Sequence, residues 1–374
     1  MTHDEIIAFL DHRLQASQAH DVASLVADYA DDCVVESPVL GTITGRAAVQ
    51  AAFDRMFAAV PDWDIQMDSR IVMGDQVVQT FTVSGTDHGG FFTRQSFPKP
   101  FQARGVLFLE LQNKTILRER RMYDFSGILL QRVEDELKTA AQIQQALQPV
   151  GQYSGNGFEI AAVSIPCRQI GGDFFDFFDL PDETFGLVLG DVAGKGPPAA
   201  LMASMLLGLF AAHVYRGGTP AETLGQVNQA LVRRAIEARF ATALCATLTA
   251  DGRLTYSNAG HNHPFVVGRA GCRRLCSSGL ILGAFEQAKF GDETVQLDPG
   301  DIVVVCSDGI TEAFSADREE FGDERLMFCV EAHRELDPSA LLEHVLNDVR
   351  QFTAGAAQSD DLTGLVLRYT GNAR

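Results

Sequence analysis

Four acidic stations set in glycine-bearing turns are the residues of this 374-residue chain best suited to chemistry. They are Asp173 in Gly171-Gly172-Asp173, Asp191 in Gly190-Asp191-Val192, Asp308 in Cys306-Ser307-Asp308-Gly309, and the pair Asp360-Asp361 in Ser359-Asp360-Asp361-Leu362-Thr363. One such aspartate is readily a turn or helix cap. Four beside apolar strands are poorly explained that way, because converging carboxylates repel and lose hydration unless cations neutralise them. No His or Cys belongs to the motifs, and an all-oxygen donor set selects Mg²⁺ or Mn²⁺ over zinc. Two such ions about 3.5–4 Å apart would activate a water for in-line attack on a phosphoryl group. Glycine-loop alternatives fail. Gly194-Lys195 has Leu189 where a P-loop needs its first glycine and Gly196 where it needs Ser or Thr, and no GxGxxG opens a helix.

The elements that must deliver these residues follow from hydrophobic periodicity. An apolar run ending at Leu189 predicts a buried strand over 184–190 that carries Asp191 at its end; a strand over 301–306 precedes Asp308, and one over 362–369 follows Asp360. Around them the pattern predicts a strand over 158–165, then an acidic loop. Helices near 198–215 and 220–238, strands over 241–249, 252–258 and 264–268, and helices over 323–334 and 338–352 complete the half. Strands on both sides of a helical block imply a layered sandwich with an antiparallel core, not regular βαβ winding.

The first half reads differently. Helical spacing dominates residues 3–60, with a short strand at 33–36 and a helix over 47–59 stopped by Pro61. Strands over 63–73, 76–84, 101–111 and 115–124 follow, the first two joined by a Gly74-Asp75 hairpin signal. Helices first and antiparallel strands afterwards indicate an α+β domain over 1–125. Residues 126–150 form a connecting helix in which Leu130, Val133, Leu137, Ala140, Gln144 and Leu147 make a short coiled-coil-like seam, either the dimerising helix of a homodimer, the preferred reading, or an amphipathic helix laid on its own domain. The glycine- and serine-rich stretch 151–157 bounds a second domain over 155–372.

Composition sets the frame. A net charge of -19 argues against nucleic-acid and anionic-membrane partners. Seven scattered cysteines without a CxxC pair suit reduced thiols, the N-terminus lacks the features of a signal peptide, and no apolar run is expected to reach 18 residues. A cytoplasmic protein is the expectation.

Two resemblances sharpen this frame. Tyr29-Ala30-Asp31-Asp32-Cys33-Val34, Leu40-Gly41-Thr42-Ile43-Thr44-Gly45-Arg46 and Leu117-Arg118-Glu119-Arg120-Arg121-Met122-Tyr123-Asp124 resemble the SnoaL-like family, whose fold is a cone of curved sheet and helices around a pocket. Some members are acid/base enzymes and many only bind ligands. The resemblance implies a sensor domain for a small molecule, with Asp87, His88, Arg104, Tyr123 and Asp124 as candidate pocket residues. Residues 158–370 resemble the metal-dependent type 2C protein phosphatases, in particular the bacterial SpoIIE/RsbU-type branch. The segments that carry it run from Arg168-Gln169-Ile170-Gly171-Gly172-Asp173 and Gly190-Asp191-Val192-Ala193-Gly194-Lys195-Gly196 through Ser257-Asn258-Ala259-Gly260-His261-Asn262 to Ser307-Asp308-Gly309 and Ser359-Asp360-Asp361.

This second resemblance implies an αββα sandwich with two Mg²⁺ or Mn²⁺ ions at one end and a protein serine/threonine phosphatase activity. Its substrate would be a phosphorylated STAS-type anti-sigma antagonist. By residue, Asp191 would bridge the ions with help from the Val192 carbonyl, Asp173 would serve one ion, and Asp308 and Asp360 the other. Asp361 would be a ligand or sit behind one, and Arg168 would bind phosphate. Ala193 stands where eukaryotic members carry a histidine proposed as general acid, so the proton for the leaving group must come from another source. His261 and His263 are read as structural. Two other functions remain open at this stage: a SnoaL-like cyclase or isomerase fused to a degenerate phosphatase, and a non-catalytic scaffold.

Overall fold

The computed structural model describes residues 1–89, 91, 98–234, 240–276 and 279–371, with side chains 99, 127–129, 131 and 132 left aside. The chain divides into two compact units, residues 1–135 and 136–374.

In the first unit, α1 (His3–Gln18), α2 (Val22–Ala27), β1 (Tyr29–Ser37), β2 (Gly41–Thr44) and α3 (Arg46–Ala59) precede a meander of β3 (Asp64–Met73), β4 (Gln76–Asp87), β5 (Lys99–Gln112) and β6 (Thr115–Asp124). The sheet order is β2-β1-β6-β5-β4-β3, and β1 lies parallel to β6. Period-2 patterning sets one face inward: Val77, Phe81 and Val83 on β4 and Ala103, Leu107 and Leu109 on β5 are buried with Phe53 and Met56 of α3. The Gly74-Asp75 turn joins Met73 to Gln76 as expected. Helix α4 (Ser126–Leu147) then carries the chain from one unit into the other.

The second unit contains β7 (Gln152–Gly155), β8 (Phe158–Ile165), β9 (Phe174–Leu180), β10 (Thr184–Val192), α5 (Pro197–Val214), α6 (Pro220–Arg233), β11 (Ala241–Leu248), β12 (Arg253–Ala259), β13 (Phe265–Gly268), β14 (Gly271–Arg274) and β15 (Glu293–Gln296). After these come β16 (Ile302–Cys306), α7 (Asp308–Thr311), α8 (Gly322–Ala332), α9 (Pro338–Thr353) and β17 (Leu362–Tyr369). Two antiparallel sheets result, ordered β15-β12-β11-β10-β9 and β14-β13-β16-β17-β8-β7. Leu187 and Leu189 of β10 face Val303 and Val305 of β16 and Leu365 and Leu367 of β17 across the inter-sheet core. On the outer faces, Val188 and Val192 pack with Leu206 and Phe210 of α5, while Val304 and Val366 pack with Leu341 and Val345 of α9. The unit is the αββα sandwich that the alternation of strands and helices implies, because each central strand is apolar on both faces.

Three expectations need correction. The acidic loop after β8 contains a strand, β9, which pairs with β10 from Phe174↔Gly190 to Leu180↔Thr184; Asp176 and Asp179 masked an aromatic strand. Helix α6 ends at Arg233, and the expected residues 235–238 lie outside the described residues. The uncharged run Pro197–Val214 does reach 18 residues, with mean hydropathy 1.5, long and apolar enough by length and composition to cross a membrane. Here it is a core helix whose buried side packs on β9 and β10.

Leu189 is fully buried two residues before Asp191. Leu189→Ala should cost about 2–5 kcal/mol, as buried Leu-to-Ala changes do. A thermal melt should show an unfolding transition several degrees lower; an unchanged melt would contradict this account of the sandwich core.

Candidate metal centre

Antiparallel pairing brings the acidic stations to one end of the sandwich. Gly190 of β10 lies opposite Phe174 of β9, so Asp191 and Asp173 emerge from neighbouring strand ends. Cys306 of β16 lies opposite Gly364 of β17, and Leu362 opposite Ile165 of β8, so Asp308 and Asp360-Asp361 emerge together at that same end of their sheet. The two sheets meet there through their carboxylates. Burial, then the nearby charges of Asp308, Asp360 and Asp361, push Asp191 up to about 6. Burial and Asp191 raise Asp173 well above the carboxylate range, although the Thr363 and Ser307 hydroxyls oppose this. Burial and Asp360 raise Asp308.

The connecting loops are tied tightly. Asp361, 5% exposed, accepts the Cys167 N–H at 2.8 Å through Oδ1, and the Gly172 N–H at 2.7 Å and the Asp173 N–H at 3.4 Å through Oδ2. Both of its oxygens are therefore committed to backbone, and it orients the Asp173 loop. Its carbonyl accepts the Ser307 hydroxyl at 3.2 Å. Gly309 has no room for a side chain, since a Cβ would lie 1.9 Å from the Asp361 carbonyl oxygen. Gly194 and Gly196 turn the loop after β10 at φ of 100° and 78°, values that favour glycine. The Val192 N–H donates to Gly172 O at 3.3 Å, fixing that strand end to the Asp173 loop.

The donor set fits hard divalent cations. Asp173 is 3% exposed and its Oδ2 has no hydrogen-bond donor, which leaves a buried acceptor for a cation to satisfy. Asp173, Asp191, Asp308 and Asp360, with the Val192 carbonyl, are the oxygens available. Cys167 lies with Asp360 and Asp361 in a group whose candidate donor atoms are within 4.8 Å of one another. Burial pushes its thiol up to about 11, so it is a neutral neighbour, not a thiolate ligand.

Other residues fall where sequence reasoning placed them or escaped it. Arg168 is exposed, and its Nη1 lies 3.7 Å from where a Cβ on Gly196 would be, at the rim of the acidic site. Buried His261 hydrogen-bonds Thr242 through Nδ1 at 2.9 Å and is held down to about 4 by burial, a neutral structural ring. Lys195, singled out only to exclude a P-loop, pairs with Asp360 at 2.8 Å and donates to the Ser359 carbonyl. Gln144, read as a polar seam residue, is instead buried: its Nε2 donates to Gly171 O at 2.7 Å and its Oε1 accepts the Gly171 N–H at 3.3 Å. No spacing rule would have paired it with a glycine 27 residues away.

In the first unit, of the five candidate pocket residues only Tyr123 lines the interior cavity. Asp87 is buried but its Oδ1 accepts the Gly89 and Phe91 N–H groups at 3.2 and 3.1 Å, forming a turn, and His88 is exposed. Arg104 and Asp124 face each other across β5 and β6 on the exposed outer side of the sheet. Among the polar groups that do line the cavity, Gln79, Glu119 and Arg121 occupy inward positions that period-2 counting along β4 and β6 could have identified, while Arg13 and Ser17 come from α1.

Comparisons with known proteins agree with this architecture. The family profile described as Stage II sporulation protein E (SpoIIE) matches residues 181–370, half of the chain, a span that includes Asp191, Asp308 and Asp360 but not Asp173. A SnoaL-like domain profile matches residues 9–137. Protein IcfG of Synechocystis is 28% identical over 274 residues, 64% of this chain and 43% of its own length. Phosphoserine phosphatase RsbU of Bacillus subtilis is 30% identical over 185 residues, 49% of this chain and 55% of its own. The chain thus spans about half the length of these curated relatives. The SiaA-PP2C domain of Pseudomonas aeruginosa superposes with TM-score 0.58 at 20% identity, covering 64% of this chain and 98% of that domain. The RsbU and RsbW domains of a Mycobacterium tuberculosis protein give 0.53 at 24%, covering 61% and 64%.

The raised carboxylates set a pH signature. The folded, metal-free chain holds the Asp191 proton up to about pH 6, whereas an unfolded aspartate releases it near pH 4, so stability falls as pH rises through that window. Mn²⁺ should therefore raise the melting temperature more at about pH 7.5 than at about pH 5, by several degrees at a hundredfold excess over Kd. Equal shifts at both pH values would contradict the convergence of these carboxylates.

Proposed function

The chain belongs to the SpoIIE family, and on that premise we propose that it is a Mg²⁺- or Mn²⁺-dependent protein serine/threonine phosphatase regulated by its SnoaL-like domain. The observation that carries this reading is the convergence of Asp173, Asp191, Asp308 and Asp360 at one end of the sandwich, with an unpartnered buried oxygen on Asp173. Two divalent ions held by these carboxylates would supply neutralising charge and lower the pKa of water for attack on phosphorus. The chain's own groups then position the substrate. Arg168 and Lys195 stand at the exposed rim, where a phosphate monoester arriving at an acidic centre needs cationic partners. Ala193 offers no proton, so no side chain at that position protonates the leaving oxygen.

The relatives support a substrate class. RsbU bears the name phosphoserine phosphatase, and the similarity supports a phosphoserine or phosphothreonine on a STAS-type regulator as the substrate of this chain. Partner-switching control of transcription would be its setting, in the cytoplasm. Regulation is supported by α4. Leu130, Val133, Ile143 and Leu147 on it are at least half exposed, an apolar surface suited to a second copy of the chain. On the same helix Gln144 grips the Gly171 backbone two residues before Asp173. A ligand in the N-terminal domain that changes the pose of α4 would thereby order or release the Asp173 loop.

Three experiments test this. Asp191→Asn should abolish Mn²⁺-dependent phosphate release from a phosphorylated STAS protein on a phosphate-affinity gel. No turnover of that substrate or of an aryl phosphate by the unaltered chain would sink the phosphatase reading. Gln144→Ala should weaken Mn²⁺ binding in calorimetry about tenfold, the effect of losing one buried hydrogen-bond pair. Leu137→Asp should change the oligomeric state and uncouple activity from the N-terminal domain, and an unaltered dimer with unaltered ligand response would refute the helix's role.

A further inference from the structure

The N-terminal unit holds a buried polar cluster that metal chemistry does not use. Arg13 of α1 donates to the Leu25 carbonyl at 3.0 Å and to the Tyr29 hydroxyl at 2.5 Å. Tyr29 in turn donates to one Glu119 oxygen, and the Arg121 guanidinium donates to the other. Glu119 is 2% exposed, and both its oxygens are engaged. Arg121 also lies over the Phe53 ring at 5.3 Å. Burying guanidinium groups is tolerated only when each is paired. Glu119 balances one of the two, and Asp28, 3.4 Å from Arg13, balances the other from outside the cavity lining.

Beside this cluster lies a cavity of about 70 Å³. Arg13, Glu119 and Arg121 form its polar wall, and Phe53, Met56, Phe81 and Leu107 its apolar one. Gln79 of β4 also lines it, 2% exposed, with no hydrogen-bond partner on its Nε2. A buried amide donor without an acceptor is rare in native interiors. Ser17 and Tyr123 bring hydroxyls to the wall, but Glu119, the one carboxylate lining it among the described residues, is already engaged by Tyr29, Arg13 and Arg121, and nothing accepts from Gln79 Nε2. What is missing is an acceptor.

We propose that this cavity binds a short-chain monocarboxylate. Its oxygens accept from Gln79 Nε2 and face the guanidinium groups of Arg13 and Arg121, and its alkyl end packs on Phe53 and Met56. Size sets the class. The cavity is roughly half the ~150 Å³ of an engineered apolar cavity that accommodates benzene, so it takes a ligand of about four or five non-hydrogen atoms. It is far below the several hundred Å³ of a pocket for a drug-sized ligand. An organic ammonium ion is disfavoured because it would meet two guanidinium groups. The proposal deepens the sensor reading given above.

Trp63 supplies the assay, being the chain's single tryptophan and part of the cavity wall. The full chain is titrated with sodium propionate against matched sodium chloride while tryptophan emission is followed, with propionamide and propylammonium as comparators. Propionate should give a saturable change, in the millimolar range that so few atoms allow. Propionamide should bind more weakly and propylammonium not at all. Gln79→Leu, which keeps the volume and removes the unmet donor, should retain or raise the melting temperature and weaken propionate about tenfold. Three results would each overturn the proposal: propionate acting no differently from chloride, propionamide binding as tightly as propionate, or the ammonium ion binding. The assay reads binding without turnover, so it stands or falls separately from the phosphatase reading and from the Leu137→Asp test of coupling.

Discussion

Carboxylate repulsion at low hydration is the constraint on which the second unit depends. Asp173 is nearly inaccessible, and beyond burial the charges of Asp308 and Asp360 raise Asp191 while that of Asp360 raises Asp308. Left to themselves such groups would separate into water. They cannot, because each is attached to a strand locked on both faces. Val188 and Val192 hold β10 to α5 while Leu187 and Leu189 hold it to the opposite sheet. Val303 and Val305 do the same for β16 in one direction, Ile302 and Val304 in the other. The non-directional burial of apolar area thus stabilises a directional, unfavourable arrangement of charge, and a cation relieves it.

Asp361 shows how the remaining flexibility is removed. Adjacent to a station, it looks like a fifth ligand by type and position, yet its oxygens accept three backbone N–H groups from the 167–173 segment. A carboxylate so used holds a long loop without secondary structure in one conformation. That loop has to bring Asp173 across from β8 to the site, and hydrogen bonds to a charged acceptor are stronger than neutral ones. Gln144 grips the same loop from the other side through Gly171. Asp173 is therefore the station most dependent on groups outside its own sheet, and it is also the one beyond the span that matches the SpoIIE profile.

The legible part of this molecule was its apolar alternation. Runs such as Leu187 to Leu189 and Val303 to Val305 carry their period openly, so the central strands, the sandwich and the end at which the aspartates gather follow from local pattern. Strand β9 did not, because Asp176 and Asp179 interrupt its aromatic residues and because its partner β10, not its own propensity, makes it a strand. Lys195 and Gln144 were illegible for another reason: each acts through a contact across a long sequence separation, with Asp360 and Gly171, that no periodicity encodes. In the first unit the face of the strand decides which hollow a residue lines, and Arg104 and Asp124 border one on the outer side. Arg104 and Asp124 are chemically apt for a pocket but sit one position out of phase with the inward residues Gly105 and Tyr123, and in a strand one position reverses the side.

The two units answer opposite imbalances in the same way. At the sandwich end acceptors exceed donors: four carboxylates converge, and the Asp173 Oδ2 atom has nothing to accept from. In the cone the Gln79 Nε2 atom has nothing to donate to. Satisfying either with protein groups was within reach of evolution, since a lysine beside Asp173 or an acceptor aimed at Gln79 would pair the orphan, and Ser17 on the same cavity does not. A lysine does reach the acidic site, but it pairs with Asp360 at the exposed rim and leaves the buried oxygen bare. An unmet buried polar atom costs stability in the empty state and returns it when the complementary ligand arrives. The deficit therefore sets the kind of atom that would relieve each unit, a cation or donor where an oxygen is bare and an acceptor where an N–H group is.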